Sequence, residues 1–225
     1  MHKNFPPKMS TESRQKKYSI LIADDHAIVR HGLRLMIRNI DPAIFVDEAL
    51  DGKTIIAKLK SEAFDLLILD INMPHTESFS LSGYLLKEFP SLQILIFTLN
   101  TELIFAMRFL KLGVHGYLLK ESGEEEIKDA IRVLMAGKIY VSSSLLNAIS
   151  AELINSHSQN PFERLTDREF ELALQILRGY SVAEIAETLH LNRSTVGTHR
   201  SRVMKKLGIT NTIELINMAK KYNII

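Results

Sequence analysis

Three carboxylates, a hydroxyl and an amine stand at matching places in this chain, each at the end of a short apolar run. Asp24 and Asp25 follow Ser19–Ala23, Asp70 follows Asp65–Leu69, Thr98 follows Gln93–Phe97 and Lys120 follows Gly116–Leu119. Carboxylate oxygens plus water suit a hard octahedral cation such as Mg²⁺. A carboxylate beside such an ion can attack a phosphoryl donor and form an acyl phosphate, while the ion and an ammonium neutralise the charge on the group in transit. Taken singly, an acid or Thr at such a position reads as a helix cap. Four run ends of matched chemistry favour one pocket instead.

A second group of residues suggests a different chemistry. From Leu189 to Thr212 there are five Arg or Lys and no acid. Within Arg193–Leu207, Val196, Val203 and Leu207 share one helical face, and the opposite face collects Ser194, Thr198, Ser201 and Lys205, flanked by Gly197 and Arg202. A small, polar, basic face is what a helix entering the major groove needs. An ordinary solvated helix would show the same periodicity. His199 has Val203 one turn on rather than a second ligand, so it reads as a packing or backbone-phosphate residue, not a metal ligand.

The elements that must position these residues follow from the apolar pattern. Ser19–Ala23, Ile44–Ala49, Asp65–Leu69, Gln93–Phe97 and Gly116–Leu119 read as five strands, several near-continuously apolar, as strands covered on both faces must be. Between them Ile28, Val29, Leu33, Met36 and Ile37 fall on one helical face, and Ile55, Ile56 and Leu59 repeat that spacing. Leu81–Phe89, Glu102–Leu112 and Glu124–Ala136 supply the remaining crossovers. Strand and helix alternate five times, which predicts a doubly wound parallel sheet with ligands at the carboxyl ends of its strands. Phe105–Phe109 reads as core. From Leu165 onward the strand pattern gives way to four helical segments, Asp167–Arg178, Val182–Leu189, Arg193–Leu207 and Thr212–Tyr222. Thr166 with Glu169 and Ser181 with Glu184 form capping boxes, and Gly179 and Gly208 are stops.

The expected organisation is a basic tail at 1–17, an α/β domain at 18–140, a partly helical linker at 141–160 capped by Ser142–Ser144, and an all-α domain at 161–225. The net charge of +2 over 225 residues conceals an asymmetry: residues 18–140 carry 13 basic against 17 acidic groups, residues 161–225 ten against seven. No cysteine is present, which excludes disulfides, thiolate metal sites and a thiol nucleophile. The apolar runs are far shorter than the ~18 residues of a membrane span, and Met1–Lys17 lacks the apolar centre of a signal peptide. A cytoplasmic protein is the expectation.

Asp24–Asp25, Asp70 within Asp70-Ile71-Asn72-Met73-Pro74, Thr98, and Lys120 after Gly116-Tyr117-Leu118-Leu119 together resemble a response-regulator receiver domain over roughly Tyr18–Gly137. The resemblance implies that Asp70 is the phosphoacceptor, that Asp25 and Asp70 are Mg²⁺ ligands with Asp24 holding the ion indirectly, and that the backbone carbonyl of Asn72 completes the set. It further implies that Lys120 pairs with phosphoryl oxygens, that Thr98 swings to bind them and that Tyr117 follows inward as a switch. Asn72 and Asn100 would flank a hydrolytic water. Leu165-Thr166-Asp167-Arg168-Glu169, Glu184-Ile185-Ala186, Thr195-Val196-Gly197-Thr198-His199 and Lys206-Leu207-Gly208-Ile209 resemble a LuxR-type helix-turn-helix. This makes Thr198 and Ser201 base-edge readers, with Ser194 on the same face, and Arg193, Arg200, Arg202 and Lys205 phosphate contacts. Arg200 lies near the packed face. Together the two halves are similar to the NarL/FixJ family, which implies a sensor histidine kinase, double-stranded promoter DNA and a second copy of the chain as partners, with Thr212–Tyr222 as the dimer contact.

Three positions depart from the family pattern. Ser78 stands where Gly is usual, Thr76 where an apolar residue is usual, and Gly197 where Lys is common. The first two predict a differently shaped loop after Asp70, and the third predicts weaker DNA binding. Two alternatives stay open: a Mg²⁺-dependent phosphohydrolase using Asp70 as a transient nucleophile, and a DNA-binding regulator that works without phosphorylation.

Overall fold

The computed structural model describes residues 18–74, 76–99, 103–155, 160–189 and 191–225. Asn100 and residues 1–17 lie outside them. Six strands form one parallel sheet in the order β2-β1-β3-β4-β5-β6: β1 Ser19–Ala23, β2 Phe45–Ala49, β3 Leu66–Leu69, β4 Gln93–Thr98, β5 Gly116–Leu119 and β6 Tyr140–Val141. Helices α1 Ala27–Ile40, α2 Gly52–Ser61, α3 Ser78–Glu88, α4 Leu103–Leu112 and α5 Glu124–Met135 cross between or follow them.

Alternation of side chains between two covered faces explains why β1, β3, β4 and β5 are apolar nearly throughout, while β2, at the edge, carries Asp47 and Glu48. Ile20, Ile22, Ile68, Leu95, Phe97 and Leu118 pack with Leu33, Ile37, Ile127 and Ile131 of α1 and α5. Leu21, Leu67, Leu69, Ile94, Ile96 and Tyr117 face the other way, toward Ile55, Leu85 and Phe105 of α2, α3 and α4. The register pairs Ala23 with Leu69, Leu69 with Ile96 and Thr98 with Leu119, so the residues just past these positions gather at one edge. The strand order reverses between β1 and β3, the place where an open sheet of this kind binds ligands.

The sheet has one strand more than the five expected. Tyr140 donates its N–H to the His115 carbonyl at 2.8 Å, and a two-residue parallel pairing extends the edge. Two residues are too few to leave an apolar run in a sequence. Helix α3 begins at Ser78, three residues before the expected Leu81, because Phe79 is buried and Ser78 is anchored by its side chain.

After α6, Ser143–Asn155, whose Leu145 N–H is met by the Ser142 hydroxyl at 3.2 Å, the chain forms a short 3₁₀ turn at Pro161–Arg164. Helices α7 Asp167–Leu177, α8 Val182–Thr188, α9 Arg193–Leu207 and α10 Thr212–Lys221 complete the helical half. Both capping boxes are made in full, each satisfying two otherwise orphaned N–H groups. Gly208 ends α9 at φ 69°, a left-handed conformation that a side chain would strain.

The two halves share a core. Phe170 of α7 meets Phe79 and Phe105 edge-on, at ring separations of 5.8 and 5.1 Å, and Phe162 at 6.3 Å. Arg108 of α4 lies 4.5 Å over the Phe170 ring and donates to the carbonyls of Phe162 and Leu165 at 2.9 and 2.7 Å. The expected core role of Phe105–Phe109 is met, and it extends across the junction.

Candidate functional site

At the carboxyl edge of the sheet Asp24 and Asp70 are each 1% exposed, and Thr98 is fully buried. Lys120 Nζ lies 2.8 Å from Asp70 Oδ2 and 2.6 Å from Asp24 Oδ2. The other oxygen of Asp70 accepts the Asn72 N–H at 3.0 Å, which orients the carboxylate from its own loop. Asp25 and His26 form the exposed lip, with His26 Nδ1 2.8 Å from Asp25 Oδ1 and 3.2 Å from Asp24 Oδ1. Ligand atoms of Asp24, Asp25, His26 and Asp70 all lie within 4.8 Å of one another.

Burial pushes the Asp70 carboxyl above its ordinary range, and the Asp24 charge adds to this, against the pull of Lys120 and the Asn72 N–H. Burial also works against the Lys120 charge, but its hydrogen bonds to two carboxylates prevail and hold the ammonium above its ordinary value. The pocket therefore keeps a cation beside a buried carboxylate. The arrangement sets a carboxylate oxygen beside an ammonium, and its three carboxylates form a hard donor set of the kind that holds a divalent cation.

Thr98 reaches the pocket through Asn72, whose Nδ2 donates to Thr98 Oγ1 at 3.2 Å. Tyr117 is 3% exposed and its ring lies 6.5 Å from Phe109, so it already sits inward. The two unusual loop residues are structural fasteners. Ser78 Oγ donates to the Ile71 carbonyl at 2.7 Å, and Thr76 Oγ1 accepts the Gly52 N–H and donates to the Pro74 carbonyl, both at 3.2 Å. The loop holds itself by hydroxyls, and neither position has the left-handed backbone that would call for glycine.

On α9, Val196, Val203, Met204 and Leu207 are buried against α7 and α8, while Ser194, Thr198, Ser201, Arg202 and Lys205 are exposed along one side and Arg193 is exposed at the N-terminal end of the helix. Arg200 does not share that side: it is half-buried and its Nη2 donates to Thr212 Oγ1 at 2.9 Å, bracing α10. His199 is also half-buried, in keeping with a packing role.

Polar contacts also join the two halves. Arg178 Nη2 donates to Asn72 Oδ1 at 3.1 Å, Ser80 Oγ donates to Glu171 Oε2 at 2.7 Å, and Arg168 pairs with Glu77. One signal was available. Phe170, Leu172, Ala173, Leu174, Ile176 and Leu177 make α7 apolar over more than one stripe, which requires a second partner surface.

Residues 20–132 match the response regulator receiver domain model, and residues 163–219 match that of the bacterial regulatory proteins of the luxR family. The chain belongs to the NarL/FixJ family of response regulators. It is 34% identical to the oxygen regulatory protein NreC of Staphylococcus epidermidis over 92% of this chain and 98% of that protein. The response regulator GacA of Pseudomonas protegens is 31% identical over 92% and 97%. Among solved structures, RcsB from Salmonella enterica serovar Typhimurium, bound to promoter rprA in the presence of phosphomimetic BeF3⁻, superposes with a TM-score of 0.71 at 29% identity, covering 91% of this chain and 99% of that one. As a member of this family the chain is a transcriptional regulator and not an enzyme, which sets the phosphohydrolase alternative aside. Among the described residues no helix is long and apolar enough to cross a membrane.

Proposed function

We infer that this response regulator accepts a phosphoryl group on Asp70 from a sensor histidine kinase and that the modified chain binds promoter DNA as a dimer. The observation that carries this reading is the buried Asp70–Lys120–Asp24 set on the edge of a sheet joined to an exposed basic helix. Asp70 attacks the donor's phosphorus, the bond from phosphorus to the donor breaks, and an acyl phosphate forms. Lys120 sits where it meets the added negative charge, and Thr98 turns its hydroxyl toward the phosphoryl oxygens, with Tyr117 packed behind it. Asp25 and Asp70, with Asp24 acting indirectly and the Asn72 carbonyl, are the residues to hold Mg²⁺, whose charge would stabilise the transferring group. The pocket has the oxygen donors such an ion requires.

On the helical half, Thr198 and Ser201, beside Ser194, read base edges, while Arg193, Arg202 and Lys205 hold phosphates. Arg200 acts through α10 rather than on DNA directly. Two copies on paired half-sites gain affinity through effective concentration, and α10, with Ile213 70% exposed, offers an apolar contact between them. The domains are proposed at 18–140 and 161–225, with 141–160 between them and β6 starting at the boundary.

Intact mass after incubation with acetyl phosphate and Mg²⁺ tests the reading. The expected result is one phosphoryl adduct on the wild type and none on Asp70→Asn. No adduct on the wild type, with no binding of beryllofluoride, refutes it in favour of a phosphorylation-independent regulator.

A further inference from the structure

The loop that leaves Asp70 and the helix it enters meet the helical half at three places. Asn72, Glu77 and Ser80, spread from the loop into α3, each meet a side chain of α7 or its C-terminal end: Arg178, Arg168 and Glu171. The Asn72 contact differs from the other two because it leads into the pocket. A guanidinium can only donate, so Asn72 must offer it Oδ1, and this leaves Nδ2 as the group that faces Thr98. Terminal amide torsions are broad and roughly two-fold, so without a partner the Asn72 amide is free to turn. Arg178 therefore sets which face of the amide the switch hydroxyl meets. The Asn72 backbone is held separately, by its N–H on Asp70 Oδ1.

We propose that Arg178 is a positioning residue of the phosphoacceptor pocket, supplied by the DNA-binding half, which restrains phosphorylation by holding Asn72 against Thr98. The proposal rests on the phosphoacceptor reading above. Before transfer, the Asn72 amide donates to Thr98 Oγ1 and ties it to the loop. Transfer requires the same hydroxyl to turn toward the new phosphoryl oxygens, and a docked Arg178 opposes that turn. By linkage, any event that frees Arg178 from Asn72 favours phosphorylation, and phosphorylation favours release of Arg178. The arrangement makes the helical half part of the pocket's control and not only its target. Ser194, Thr198 and Ser201 stay exposed in the docked arrangement, so the coupling runs through α7 and not through burial of the reading face.

The test is the rate of phosphoryl incorporation into the full chain from acetyl phosphate and Mg²⁺, followed by intact mass, for wild type, Arg178→Ala, Asn72→Ala and the double variant. One exposed, charge-assisted hydrogen bond sets the scale, so Arg178→Ala should load about threefold to tenfold faster. In the Asn72→Ala background the same change should do nothing further, because its target is gone. The side-chain amide resonances of Asn72 should move in Arg178→Ala, and Arg178→Lys should restore part of the wild-type rate. Unchanged or slower loading in Arg178→Ala overturns the proposal, as slower loading would mean that the guanidinium attracts the anionic donor. An equal acceleration in the Asn72→Ala background also overturns it, since Arg178 would then not act through Asn72. A wild-type chain that takes no phosphoryl group at all overturns the phosphoacceptor reading itself, and this inference with it.

Discussion

Glu171 is 4% exposed, at the seam between the two halves, and burial pushes its carboxyl up to about 7, with the Glu77 charge adding to the effect against the Ser80 hydrogen bond and Arg168. Glu171 and Arg178 both line a cavity at this seam, together with Asn72 and Phe105. In the unfolded chain the group has its ordinary value of 4.5. Below that value both states carry the proton and Glu171 brings no penalty. As pH rises toward 7 the folded protein keeps a proton the unfolded chain has lost, so stability falls through this window, and above 7 the penalty is complete. Each pH unit between the two values is worth about 1.4 kcal/mol, which makes the full effect at most about 3.5 kcal/mol. Glu171→Gln removes the charge and keeps an oxygen for the Ser80 hydroxyl. Urea unfolding of both proteins from about pH 5 to about pH 8 should show the wild type losing roughly 2–3 kcal/mol relative to the variant. Parallel stability profiles for the two would refute the assignment of a buried, proton-retaining carboxyl to this seam.

Lys120→Met leaves the buried Asp24 and Asp70 facing each other with no ammonium between them. Without divalent cation the loss should be about 3–5 kcal/mol, and Mg²⁺ should raise the melting temperature of the variant more than that of the wild type. A Cβ at Gly197 meets nothing within 4 Å, and the residue is inside α9. Gly197→Ala should therefore stabilise the helical half by about 1 kcal/mol in thermal unfolding, and Gly197→Lys should steepen the salt dependence of DNA binding by about one charge. Arg108→Ala removes two hydrogen bonds to carbonyls and the contact over Phe170. It should cost about 2–4 kcal/mol and increase the radius of gyration measured by small-angle scattering, as the halves come apart.

The pocket residues were legible because strand ends in a doubly wound sheet have a fixed relation to their apolar runs. Once Asp24, Asp70 and Lys120 each follow a strand and Thr98 closes one, the topology alone brings them together. The α9 reading face was legible for a similar local reason, since Val196, Val203 and Leu207 fix which side is packed. Arg200 shows where angle alone is insufficient: its position near the packed boundary left its partner open, and that partner is Thr212 on another helix. The departures at Thr76 and Ser78 were visible as departures, but their hydroxyl contacts with Gly52, Pro74 and Ile71 depend on loop geometry that spacing does not carry. The seam was the least legible part. Glu171 looks like any helical acid until Ser80, 91 residues earlier in the chain, is placed against it.

The central claim is that phosphorylation of Asp70 controls sequence-specific DNA binding, and selection from a random duplex library with and without acetyl phosphate tests it directly. The account predicts that the phosphorylated wild type enriches a paired motif with half-sites about one helical turn apart, and that Asp70→Asn under the same conditions does not. Equal enrichment of the same motif by the wild type and Asp70→Asn, with or without the donor, would contradict it.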